Sequence, residues 1–468
     1  MSSFAGLRLA ESALAAARAG MTVTGQNIAN QTTTGYTRQR VEQTSVAAPV
    51  QGGLRVQGAT AGGGVAVTGI ARLGDEILDA RVRDALATSG FWSARATAAS
   101  QAEAIMAEPT AEGLAANLDR FWSSWADLAT TPEPAAAQVV LTDAQVLVGQ
   151  IAAGYQAVAG QWGDLRGQVD RQVADVNAAA EQVAVLNGRI REALQSGRQA
   201  NELVDQRSVL AQQLSTAIGA KGTLEADGTM TLRVDGNALV SGDASRPLTA
   251  SGPAGVADGG RVTVSWADRP GSAVSVTAGT LGGVIGALAP ASDGGPLAAL
   301  AAAYDHTART LAVRVNDLHR AGVTSSGAQG GDFFALDPSA PAALGLRVVP
   351  RELGDLALGA PGAGPKDTSI ADRISRLGTS QDGPSTAWSA FVTGFAVSVA
   401  GDRQRADIAD RGAVAAVTAQ QSNASVDGDE ETINLLSYQT AYQAAARVLT
   451  AVDEALDLLI NRTGLVGR

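Results

Sequence analysis

One tyrosine, two arginines and four clustered acids are the residues of this chain best placed to do chemistry. Tyr36, Arg38 and Arg40 lie in NIANQTTTGYTRQRV, residues 27–41, and Asp427, Asp429, Glu430 and Glu431 lie in SVDGDEE near the other end. The acids could hold a divalent cation, but they lack the Asp-x-Asp-x-Asp-Gly order and the later Glu of a calcium loop. The plainer reading is that they are first-turn acids, because carboxylates stabilise the positive end of the helix that follows. The only histidines are His306 and His319, read as structural residues of a bundle helix, and there is no Cys. A His-rich metal centre, a thiolate zinc site and a Cys nucleophile are therefore excluded, and no nucleophile elbow is present. GTLGGVIG, Gly279 to Gly286, lacks the Gly-Lys-Ser/Thr ending of a phosphate loop and reads as a strand-to-helix turn. Phe121, Trp122 and Trp125 read as core anchors on one helix. No catalytic, cofactor or metal site is expected.

The elements that must position these residues are mostly helical. At 468 residues the chain has room for about three domains. With only 4% aromatic residues it must pack Ala, Val and Leu seams in place of one bulky core. Net charge −11 disfavours nucleic acid or an anionic membrane as the main partner. No run approaches the roughly 18 apolar residues of a membrane span, and Arg8, Glu11 and Arg18 interrupt the apolar start. These features imply a cytoplasmic chain, or one exported without a cleaved signal. Periodicity predicts helices over residues 4–30, 75–107, 111–129, 134–219 with breaks, 296–319 and 387–424, with a strand or hairpin over 62–73. Leu7, Ala10, Leu14, Ala17, Met21, Thr24 and Ile28 form a slim heptad seam at the start. Leu435, Tyr438, Tyr442, Ala445, Leu449, Val452, Leu456 and Leu459 form a heavier one at the end. Asn187 falls inside a third seam, where a polar residue can fix register.

The fold class is accordingly mainly α with a small β insert, in a nested order. A terminal coiled-coil domain (1–32 and 433–468) encloses a long-helix bundle with mixed loops (33–220 and 285–432), which encloses an inserted β domain (221–284). The insert, rich in Gly, Asp and Pro turns, is expected to lie furthest out, so that its excision would leave the bundle intact. The small-residue N-terminal seam buries little. Both terminal helices are therefore expected to order only on assembly.

Several stretches, in order, resemble bacterial flagellar axial proteins. The opening GLRLAESAL and VTGQNIANQTTTGYTRQRV, then LDRFWSSWADLATTPEPAAAQ, NELVDQRSVLAQQLS and VNDLHRAG, are similar to motifs of the hook-associated members. DEETINLLSYQTAYQAAARVLTAVDEALDLLIN is similar to the axial C-terminal signature. The resemblance implies a structural, self-assembling, non-enzymatic subunit with no cofactor, located on the extracellular flagellum and joining hook to filament. It implies export in the unfolded state through the flagellar type III apparatus, which suits a chain that cannot form disulfides. The implied partners are further copies of itself in a ring or helical zone, the hook protein, a second junction protein, and a cytoplasmic export chaperone on the C-terminal helix. Neither nucleic acid nor membrane is implied. The implied assembly residues are Leu7, Leu14, Met21, Ile28, Asn30, Tyr36, Arg38 and Arg40, with Leu435, Tyr438, Tyr442, Leu449, Val452, Leu456 and Leu459. Tyr36 would dock a joint between coiled coil and bundle, with Arg38 and Arg40 pairing with acids of the same or a neighbouring subunit. The alternative for this segment is a solvated loop with a half-buried Tyr. Thr34 stands where the family usually places Pro, and SVDGDEE is less apolar than the family's segment there. The rival readings are another axial protein, a wall hydrolase and a secreted coiled-coil adhesin. The long helical middle argues against hook and rod proteins, and no paired-carboxylate or Cys/His site supports a hydrolase.

Overall fold

Pro134 opens the longest element, where its missing N–H costs nothing at a helix start. The computed structural model describes residues 3–47, 62–364, 366–458 and 460. Its helices are α1 (Ser3–Ala29), α2 (Glu76–Met106), α3 (Leu114–Thr130), α4 (Pro134–Gln195), α5 (Asn201–Ile218), α6 (Gly279–Ala287), α7 (Pro296–Ala321), α8 (Ala342–Gly345), α9 (Ser369–Ser375), α10 (Pro384–Ala424) and α11 (Gly428–Asp457). At 62 residues α4 is about 93 Å long. One stretch of it is long and apolar enough to cross a membrane. Its buried residues, among them Leu147, Ile151, Val158, Trp162, Val169, Val176 and Val183, form a stripe that packs against α3, α5 and α7, and a third of the apolar stretch is buried. Asp75 caps α2 by accepting from the amides of Ile77 and Leu78.

The aromatic residues gather where α3 meets the mixed region after α7. Phe121 and Trp125 are fully buried, and Trp125 lies 5.3 Å from Phe333, centroid to centroid. Asn316 fixes that region from α7, accepting from the amides of Phe333 and Phe334 and donating to the Phe334 carbonyl. His319, one turn on, is 1% exposed. Its Nε2 accepts from the Ala357 amide at 3.0 Å, so its proton is on Nδ1, which donates to the Gly331 carbonyl at 2.8 Å. His306 is exposed on the same helix.

The β segment forms two small antiparallel sheets. The first, of four strands, comprises β3 (Lys221–Leu224), β4 (Met230–Val234), β5 (Asn237–Ser241) and β6 (Ala244–Ser245). The second, of three, comprises β7 (Leu248–Ser251), β8 (Thr263–Trp266) and β9 (Ala273–Val274). The strands end at Val274, and Gly279–Ala287 is helix. The sheets are not a free-standing outer module, which argues against the expectation that they could be cut away. Leu232, Val240, Leu248 and Trp266 belong to the same buried core as Val176 and Val183 of α4. Asn187 shows why. In place of a helix-to-helix register it joins α4 to the sheet: its amide donates to the carbonyls of Met230 and Gly242, and its oxygen accepts from the Met230 amide. The same oxygen accepts from Arg207 of α5, a guanidinium whose pKa burial pushes down to about 10. Asn177, farther back on α4, likewise brackets Leu248 with both of its amide groups.

Two outcomes follow from this packing. Asn187→Ala strands two carbonyls, an amide and a buried guanidinium, and should cost about 3 kcal/mol in urea unfolding. Burial holds the His319 pKa below its usual 6.5. Its contribution to stability is therefore complete above pH 6.5 and is lost as pH falls through that value toward the folded pKa. The urea midpoint should drop as pH falls below 6.5, and His319→Gln should flatten that drop.

Candidate assembly joint

Glycines set how closely the chain's two end helices approach. A Cβ on Gly20 would stand 2.4 Å from the Tyr438 ring, and one on Gly6 would stand 3.3 Å from a Val452 methyl. The pairings run in opposite senses, so α1 and α11 are antiparallel. The α1 seam is Gly6, Ala10, Ala13, Ala17, Gly20, Thr24 and Asn27; Gly6, Ala13, Gly20 and Asn27 each lie one position off the heptad read from the large residues. Leu7, Leu14 and Met21 are half-buried on its flank, and Ile28 is 37% exposed. On α11, Leu435, Tyr438, Leu449, Val452 and Leu456 are half-buried, Ala445 is buried and Tyr442 is exposed. Leu459 lies outside the described residues.

A hairpin packs along the second face of α1. Strand β1 (Gln39–Val46) pairs antiparallel with β2 (Gly64–Arg72), in register from Gln39↔Arg72 to Val46↔Gly64, with one shift after Glu42. The Val65 amide reaches Ser12 Oγ of α1 at 3.4 Å. Arg40, expected in the joint, is thus an exposed strand residue, and it makes no ion pair among the described residues.

Between helix and hairpin the chain turns through Gly35, at φ +80°, where any side chain would also strike Val209. The turn brings Tyr36, Arg38 and Gln39 back onto the end of α1. There Asn27, 1% exposed, uses both ends of its amide. Its oxygen accepts from the Tyr36 hydroxyl at 2.9 Å and the Gln39 amide at 3.0 Å. Its nitrogen donates to the Gln39 carbonyl at 2.9 Å and to Glu431 Oε2 at 3.0 Å. Glu431, only 2% exposed, meets Arg38 at 2.7 Å, and Arg38 also grips Glu430 at 2.8 Å. Asp427 caps α11 through the amides of Asp429 and Glu430, which aims both glutamates at Arg38.

The bundle is tied to the same point. Asp205 of α5 accepts from the Thr37 amide and from Arg72, at 3.1 and 2.6 Å. Asn201 of α5 donates to Gln39 and to the Ile70 carbonyl. The Arg38 amide donates to the Ala424 carbonyl at the end of α10. Asn30 holds the α1 terminus, donating to the Gln26 carbonyl and accepting from Thr33. Thr34 borders a cleft of about 950 Å³ between this turn and the α4–α5 pair. Burial, reinforced by Asp205, Glu202 and Glu431, pushes the Tyr36 pKa up to about 12. The hydrogen bonds that Arg38 donates to Glu430 raise its pKa above its already high ordinary value. Among the described residues no three His, Asp or Glu side chains converge as metal ligands. Asn27, Gln39, Asn201 and Asp205 were not singled out in the sequence. Asn27 sits in the quoted polar run, but nothing local marks it as the buried residue.

Paired ends, a polar joint and a long bundle define a structural protein that presents its two termini together. Comparison with known proteins places it further. The profile of the flagellar hook-associated protein FlgK helical domain matches residues 99–334, and that of the flagellar basal body rod FlgEFG protein C-terminal matches residues 420–462. The chain belongs to the FlgK family of flagellar hook-associated proteins, which are structural components of the bacterial flagellum. It is 29% identical to flagellar hook-associated protein 1 of Bacillus subtilis, over all of both chains. It is 30% identical to the Escherichia coli protein of that name, over 75% of this chain and 62% of the relative. Its fold matches the flagellar hook junction protein FlgK from Burkholderia pseudomallei with a TM-score of 0.62, at 16% identity, over 73% of this chain and 99% of that one.

Asn27→Ala leaves Glu431, the Tyr36 hydroxyl and the Gln39 amide each short of a partner. It should cost about 3 kcal/mol, read as lost hydrogen-exchange protection across residues 36–41 and 428–434. A Tyr whose folded pKa exceeds its unfolded 10.0 stabilises the fold fully below pH 10, and that contribution is lost as pH rises toward about 12. Tyr36→Phe should remove part of the alkaline loss of stability.

Proposed function

We propose that this chain joins the flagellar hook to the filament as a non-enzymatic subunit that assembles with copies of itself through its paired terminal helices. The observation that carries the reading is the bareness of α11. In this 30-residue helix only Glu431 and Ala445 are buried, while Ile433, Leu436, Val448 and Leu458 stand 47–66% exposed. An exposed apolar face of that length marks an interaction surface, and it is turned away from the contacts Tyr438 and Val452 make with α1. In the assembly the face packs against neighbouring copies, the hook protein and the second junction protein. Before export it is the surface an export chaperone would cover. The chain leaves the cell unfolded through the flagellar type III apparatus, without signal cleavage, and works outside the cell. The absence of Cys supports this, since no disulfide can form before passage.

Cells lacking the chain should build hooks but release their filament subunits unattached; normal filaments on such cells would refute the reading. Leu449→Asp places a charge in the α1–α11 seam, at a cost of several kcal/mol if assembly buries it, and should abolish attachment. Arg447→Glu, on the exposed side, should change stability by no more than about 0.5 kcal/mol and leave attachment intact. In purified monomer, hydrogen exchange at Leu14 and Leu456 should be fast relative to the bundle. Protection equal to that of Leu147 would show that the ends order alone.

A further inference from the structure

Asn187 is followed by Gly188, the one Asn-Gly pair in the sequence. Such a pair carries a reaction of its own. The Gly188 backbone nitrogen can attack the Asn187 side-chain carbonyl carbon. A carbon–nitrogen bond forms, the bond to Nδ2 breaks, and ammonia leaves with the proton from the Gly188 amide. Water then opens the cyclic imide at either carbonyl, leaving aspartate or isoaspartate in place of asparagine. No oxidant or cofactor takes part. Glycine favours the attack because it has no Cβ to shield its nitrogen and lets the backbone bend. At Asn27, the amide of the joint, the next residue is Ile28, whose β-branched side chain hinders that approach.

The folded chain closes this path. Asn187 is fully buried inside α4. Its Oδ1 accepts from the Met230 amide at 2.9 Å and from Arg207 at 3.0 Å, and its Nδ2 donates to the Met230 and Gly242 carbonyls at 2.8 Å each. The leaving group is thus held by two bonds, and the Gly188 N–H is committed to the helix ladder, toward the Ala184 carbonyl. Packing does not call for the glycine. An added Cβ would meet only the Asp243 Cβ at 3.5 Å, an ordinary contact. Glycine in a helix interior is less stable than alanine, so α4 holds a residue that its fold does not require.

We propose that Asn187–Gly188 is a modification site open only in the unfolded chain, where spontaneous deamidation bars the β segment from docking on α4. Aspartate at 187 still accepts from Arg207 and from the Met230 amide. It has no N–H for the Met230 and Gly242 carbonyls, and its charge faces both oxygens. Isoaspartate does more, because the Cβ becomes part of the main chain. The α4 ladder then loses its spacing between Val183 and Ile190, both fully buried. In the folded protein the reaction waits on local opening of α4. On the export reading above, the chain passes through the unfolded state before it assembles, and the site then limits how long it can wait there.

Purified chain provides the test, so its outcome is separate from the export reading. In urea at mildly alkaline pH, Asn187 should convert at least tenfold faster than in folded chain at the same pH, read by peptide mass mapping with isoaspartate resolved by chromatography. Returned to buffer, converted chain should unfold at a lower urea concentration than unconverted chain carried through the same steps. Gly188→Ala should fold with a urea midpoint no lower than the parent's and convert at least tenfold more slowly in urea. Equal conversion in folded and unfolded chain would overturn the proposal. So would a converted chain that regains the parental midpoint, or a Gly188→Ala chain that converts at the parental rate. Each of these failures leaves the export reading standing.

Discussion

The arrangement depends on one amide side chain held out of water. Asn27 is the last buried residue of α1, and its two polar atoms each bridge two segments: the turn through Tyr36, the first residue of β1, and the start of α11. A buried amide tolerates no substitute that lacks both a donor and an acceptor. Through it, segments 404 residues apart in sequence meet at hydrogen-bond distance. Arg38 and Asp205 extend the network to α10, α5 and the hairpin. Remove the amide and the Arg38 and Asp205 contacts remain, but the end of α1 loses its bonds to the turn, to β1 and to α11.

The network is polar where the rest of the molecule is apolar, and that difference bears on its role. Hydrophobic packing tolerates sliding, whereas a set of paired donors and acceptors has one geometry. A chain that holds its terminal helix pair at a set angle to its bundle gains from having this kind of contact where the two meet. The bare face of α11 lies just beyond, so the orientation of the exposed surface is set by the joint.

Most of the fold was legible in the sequence because long helices announce themselves by period. The bounds of α2, α7 and α10, and the start of α4 at Pro134, lie within a few residues of those read from apolar spacing and from Pro134 and Pro296, while the stretch read as helix with breaks to 219 divides into α4 and α5. Three things were not legible, each for a physical reason. Strand β1, QRVEQTSV, is mostly exposed and lacks clean alternation, so only its partner β2 could be read. The α1 seam is lined by Gly and Ala, whose contribution is closeness and not bulk, and a search for large residues lands one position away. The β segment reads as separate because its turns are regular, yet Asn187 and Asn177 bind it into the bundle by hydrogen bonds between residues far apart in sequence. Tyr36 and Arg38 were visible as a polar joint, and Glu430 and Glu431 as first-turn acids. That the two groups meet is a tertiary fact.

The antiparallel pairing of α1 with α11 also fixes when the molecule can finish folding. Closing so long a loop carries an entropic cost that grows only slowly with length, but the contact cannot begin to form until both partners are present. For a chain delivered end-on, α1 emerges at one limit of the process and α11 at the other. The bundle, α2 through α10, can close on itself while the joint remains open. In such a delivery the terminal pair can close only once all the helices of the bundle are present.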